Sequence, residues 1–138
     1  MEKAARAGLA EVAAGKLASS KATNDQVRKF GERMVTDHGK AGDELKKIAQ
    51  GKGITLPQEP DSDHQKLMAK LESSKGADFD KLYVAEAGVK DHKEAVDLFT
   101  EQFKHGKDAA LKAFAQKNLS TIKEHYQMAQ DLDKALKK

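Results

Sequence analysis

From Asn24 onward, Val27, Met34, Ala41, Leu45 and Ile48, with Phe30 alongside, recur at the helical period of about 3.6 residues. This stripe predicts a long amphipathic helix over 24–50. Asn24 is placed to cap its start, and Gly51-Lys52-Gly53 offers glycine where a left-handed C-terminal cap is usual. The same reading gives a first helix over 2–22 and a short third helix over 62–74, capped by Asp61 or Ser62 after Pro60. A fourth helix runs from an Asp78 cap to about Gly106, with Leu82, Val89, Val96, Phe99 and Phe103 on one face. A fifth, from 108 to the end, carries Leu111, Phe114, Ile122, Ala129, Leu132 and Leu136.

The connections near Thr23 and Gly106 are short, so helices one and two form one antiparallel pair and helices four and five another. Residues 51–77, which hold both prolines (Pro57 and Pro60), lie between the pairs. A helix of about 13 residues covers ~20 Å, and extended chain adds up to ~3.3 Å per residue, enough to traverse the ~40 Å of helix two. The expected fold is therefore all-α: a ferritin-like four-helix bundle in one domain over 1–138, with one long crossover carrying a short extra helix.

Composition narrows the function. Lys and Arg number 25 against 22 Asp and Glu, a net charge of +3. The two signs alternate around the helices, and only three of the basic residues are arginines (Arg6, Arg28, Arg33), so nucleic-acid binding is not expected. No uncharged stretch approaches the ~20 residues that span a bilayer. Cysteine is absent, which excludes disulfides, thiolate metal sites and thiol nucleophiles. Met1-Glu2-Lys3 leads straight into helix formers without an apolar signal core, so the chain is either cytoplasmic or preceded by a removed leader.

Three of the five histidines fall within apolar seams: His38 between Met34 and Ala41, His92 between Val89 and Val96, and His125 between Ile122 and Ala129. Counted from the turns at 1.5 Å per residue, they lie ~22, ~21 and ~28 Å deep, all in the middle third of the bundle. In helix one, Ala4, Gly8, Glu11, Gly15, Ala18 and Ala22 form a strip whose one large member is Glu11, at the height of His38. Asp91 lies between Gly88 and Ala95 on another small-residue strip. His38, His92, His125, Glu11 and Asp91 thus form a candidate set for zinc, manganese, iron or copper. Asp37 and Glu124, also next to histidines, read as solvated acids. His64 and His105 read as surface residues, and Tyr83 as packing with its hydroxyl at a boundary. The Glu-x-x-His pairs of di-iron carboxylate bundles are missing, as are phosphate loops, nucleophile elbows and calcium loops.

Several of these segments carry a resemblance. Gly8-Leu9-Ala10-Glu11-Val12, Phe30, Arg33 through His38, Leu56-Pro57, Phe79-Asp80, Tyr83, Asp91 through Val96, and Leu119 through His125 resemble the bacterial domain-of-unknown-function 4142 family over nearly the whole chain. The resemblance implies a ferritin-like bundle, exported behind a signal peptide, and no settled activity. The leading expectation is a metal-binding bundle of the cell envelope, in metal handling or stress protection, more a binding protein than an enzyme. A cofactor-free helical interaction protein of the periplasm is the alternative, an oxidase or peroxidase with a non-standard centre comes third, and a homo-oligomer is compatible with each.

Overall fold

The computed structural model describes residues 1–137. The chain forms α1 (Glu2–Lys21), α2 (Asp25–Gly51), α3 (Ser62–Ser73), α4 (Gly76–Leu82), a π-helical segment (Tyr83–Lys90), α5 (Asp91–His105) and α6 (Ala109–Leu136), with no strand among the described residues. The fold is all-α. α4, the π segment and α5 run on without a break as one rod.

Local chemistry explains most of the ends. The Asn24 side chain accepts from the N–H groups of Gln26 and Val27, and that of Asp108 from Leu111. α2 stops where Gly53 enters the left-handed region at φ 70. There the Gly53 N–H reaches Gln50 O at 3.2 Å and the Ile54 N–H reaches Ala49 O at 2.9 Å, the paired bonds of a Schellman cap. The expected Asp78 cap is corrected: the N-cap is Lys75, three residues earlier, and Asp78 sits in the first turn, where a negative charge suits the helix dipole. Asp61 is the N-cap residue of α3, but its side chain makes no cap bond.

α1 packs most extensively on α2, and α5 on α6. Cross-bundle pairs give the directions. Phe30 meets Tyr83 and His38 meets His92, so α2 and the long rod run parallel, whereas Arg33–Glu124 and Glu44–Lys117 make α2 and α6 antiparallel. The chain must therefore travel the bundle's length between α2 and α4, and α3 makes that crossing against α1. The topology is compatible with a ferritin-like connection. Lys21 fastens the crossover by donating to the carbonyls of Leu71, Glu72 and Ser74 at 3.1, 2.7 and 2.6 Å. Buried Asp80 accepts from Thr23 N, Thr23 Oγ1 and Asn24 N at 3.1, 2.7 and 2.8 Å, pinning the first interhelical turn to the rod.

Two apolar clusters fill the interior. One gathers Val27, Phe30, Met34, Leu71, Phe79 and Tyr83, the other Leu45, Phe99, Phe114 and Ile122. The histidines lie between them.

α1 and α2 approach at glycines. A Cβ added at Gly31 would lie 2.8 Å from Ala18 Cβ and 2.9 Å from Gly15 O, while one at Gly8 would meet nothing within 4 Å. Gly31→Ala is therefore expected to destabilise by about 1–3 kcal/mol through overpacking. Gly8→Ala, a helix-interior glycine with room to spare, should stabilise by about 0.5–1 kcal/mol. Urea denaturation of both variants checks the pair, and equal effects would contradict the close approach.

Candidate metal centre

α2, α5 and α6 each deliver one histidine to the middle of the bundle. One ring nitrogen from each of His38, His92 and His125 lies within 4.8 Å of the other two. The ring centroids form a nearly equilateral triangle with sides of 5.4, 5.2 and 5.3 Å. His38 Nε2 stands 3.3 Å from His92 Nε2. Two nitrogens each ~2.0–2.1 Å from a tetrahedral ion are about 3.3 Å apart, so that pair already has the spacing of ligands to one zinc-sized ion.

The remaining nitrogens fix the tautomers. His92 Nδ1 donates to Gly88 O at 2.9 Å and Ala87 O at 3.0 Å, four and five residues before it, which leaves its Nε2 lone pair facing His38. His125 Nε2 donates to Asp37 Oδ2 at 2.7 Å, which leaves the lone pair on Nδ1. That Nδ1 is buried and has no hydrogen-bond partner among the described residues. An imidazole whose one N–H is anchored to a carbonyl or carboxylate while its other nitrogen stays free is the usual arrangement of a metal-bound histidine.

Electrostatics keep these rings neutral. Burial, reinforced by the charge each ring would feel from His92 and His125, pushes His38 down to about 3. Burial and neighbouring His125 push His92 down to about 4. Burial also lowers His125, against the pull of its Asp37 hydrogen bond. Asp37 behaves oppositely: burial pushes it up, but hydrogen bonds from His125 and Arg33 outweigh that and hold it below the usual carboxylate range. Arg33 in turn bridges Asp37 at 3.1 Å and Glu124 at 2.8 Å. Asp37 is thus no solvated acid. It orients a candidate ligand.

Glu11 and Asp91 lie apart from the triangle but line the same cavity, which has a volume of about 580 Å³. Glu11 is 5% exposed, its Oε2 has no partner among the described residues, and burial with nearby Asp91 raises its carboxyl well above the usual range. Asp91 faces α3, where its Oδ2 is 3.3 Å from His64 Nε2, and His64 Nδ1 is bonded to Asp61. The surface reading of His64 is therefore corrected. Its hydrogen bond to Asp91, aided by that to Asp61 and opposed by burial, raises it to about 9. The Asp61-x-x-His64 spacing, one helical turn, was the signal that could have found it.

The π segment was not expected. Its wider turn ends directly before Asp91-His92 and brings the Ala87 and Gly88 carbonyls under the His92 ring. It also sets the rod's inward face: Ala85, seven residues before His92, is exposed, while Val84, Ala87 and Gly88 are buried. Tyr83 is fully buried, stacked on Phe79, and its hydroxyl has no partner among the described residues, which corrects the boundary reading. Removing an unsatisfied buried hydroxyl removes its desolvation penalty. Tyr83→Phe should therefore be neutral or stabilising by up to about 1 kcal/mol in urea denaturation, and a clear loss would reveal a hidden partner for that hydroxyl.

Among the described residues no helix is long and apolar enough to cross a membrane. The model of a family described as a domain of unknown function (DUF4142) matches residues 1–132. No curated protein and no solved structure matches the chain.

Proposed function

The chain belongs to the DUF4142 family, and from that premise we propose that it binds one divalent transition-metal ion through His38, His92 and His125, in metal handling or stress protection in the bacterial cell envelope. The observation that carries the reading is the buried Nδ1 of His125, unpartnered among the described residues, in a triangle of imidazoles that each bring one ring nitrogen within 4.8 Å of the others. That nitrogen sits in an interior where an unsatisfied polar group costs about 1–3 kcal/mol, and a cation held by the three rings would satisfy it. Three imidazoles favour zinc, copper or iron over manganese, which prefers carboxylate oxygen. A cofactor-free interaction protein would instead satisfy His125 Nδ1 with a trapped water.

Export is part of the proposal and is supported by the family resemblance alone. Cell fractionation of the native host tests it. Elemental analysis of protein purified without an affinity tag tests the ion: about one zinc, copper or iron per chain supports the reading. Metal-free protein that takes up none of these ions on dialysis, with the bundle folded by circular dichroism, defeats it.

A further inference from the structure

The cavity beside the histidines is larger than an ion needs. At about 580 Å³ it falls within the roughly 300–1,000 Å³ typical of small-molecule sites. Its lining changes character along the bundle axis. At one level stand the three imidazoles with Glu11 and Asp91, and farther along stand Leu45, Leu98, Phe99, Phe114 and Ile122. Leu45 and Phe99 each follow their helix's histidine by seven residues, and Phe114 precedes His125 by eleven. The apolar wall therefore extends about 10–16 Å from the histidine level, all toward the same end of the bundle.

The proposed ion supplies the second half of the argument. Three protein ligands leave a tetrahedral ion one open position, the arrangement of sites that admit a further ligand. Bound imidazoles are neutral, so they leave the ion's double charge uncompensated, and a monoanionic donor suits the open position. Glu11 Oε2, buried on the same cavity with no partner among the described residues, is a second polar group that an incoming head group can satisfy.

We propose that the cavity takes a small carboxylic acid with an apolar body, its carboxylate on the ion held by His38, His92 and His125 and its body along Leu45, Leu98, Phe99 and Phe114. The inference rests on the metal reading, and the two can fail separately.

Cobalt(II), a coloured stand-in for zinc, is loaded into the full chain, which is then titrated with sodium acetate and sodium octanoate and followed by visible absorption and calorimetry. Octanoate should shift the cobalt bands at one equivalent, with affinity rising above acetate by about fourfold per buried methylene. Metal-free protein should bind octanoate at least tenfold more weakly. Cobalt bands that form but ignore octanoate overturn this inference and leave the metal reading standing. So do equal affinities for acetate and octanoate, or for the loaded and metal-free protein. A chain that develops no bound-cobalt spectrum overturns both readings. Leu98→Trp and Ala95→Leu, which narrow the cavity from α5, should weaken octanoate at least tenfold more than they weaken acetate. Unaltered octanoate affinity in both variants would place the apolar body elsewhere and overturn the assignment.

Discussion

Zinc added to metal-free protein at a thousandfold excess over its dissociation constant should stabilise the fold by about 4 kcal/mol. For a chain of this size that raises the melting temperature by roughly 12–16 °C. The reason is linkage: the three nitrogens meet only in the folded bundle, being contributed by α2, α5 and α6, so the ion has no comparable site on the unfolded chain. His38→Ala, His92→Ala and His125→Ala should each abolish most of the shift, because two imidazoles do not complete the set. Asp37→Asn is the more discriminating variant. It keeps all three ligands but weakens the anchor on His125 Nε2, and loss of such an anchor commonly lowers metal affinity 10–100-fold. Thermal unfolding with zinc, copper, iron and manganese titrated into each variant makes the comparison. Melting temperatures that ignore every ion, or a zinc shift that survives in all three alanine variants, would end the metal reading.

The metal-free protein should also lose stability steeply as the pH falls from about 6.5 to 4. His38 and His92 titrate near 3 and 4 in the folded chain, and His125 is lowered too, whereas all three titrate near 6.5 once unfolded. Between those values the unfolded chain binds protons that the folded chain refuses, so stability falls with pH. Each pKa unit is worth about 1.4 kcal/mol, so His92 alone removes about 3 kcal/mol by pH 4, a large part of the 5–15 kcal/mol that holds an ordinary domain together. His64 works in the opposite direction. Raised to about 9, its contribution is fully present below 6.5 and disappears as the pH climbs through 9. The stability maximum should therefore lie between about pH 6.5 and 8. Urea denaturation in a chelating buffer from pH 4.5 to 9.5 measures the curve, and constant stability between pH 7 and 5 would show that the buried rings are not held neutral.

Helix-forming periods and caps act locally, and they were legible where they act. Asn24 and Gly53 bound α2 through bonds to residues within four positions of themselves. The seams of α2 and α6 place His38 and His125 inward from their own helix's period, and a depth count of 1.5 Å per residue brings all three histidines to one level. Glu11 could be drawn inward on the same logic, since its neighbours on the strip are all Ala or Gly and the helices can close around it.

What the sequence by itself determined is thus the all-α fold, the crossover between the two helical pairs and the inward direction of three histidines. Each follows from backbone geometry that repeats along one helix. Tertiary structure alone decided which partner each polar side chain takes. Asp37 bonds a histidine 88 residues away, and Asp91 turns to His64 on the crossover helix rather than to the histidine triangle. The π segment belongs to the same class: an i→i+5 turn has no periodic signature in eight residues, and here it coincides with the buried Gly88, where an added Cβ would stand 3.0 Å from Ala129. A hydrogen bond across the bundle depends on the rotation and height of two helices at once, and no single helix's pattern contains both.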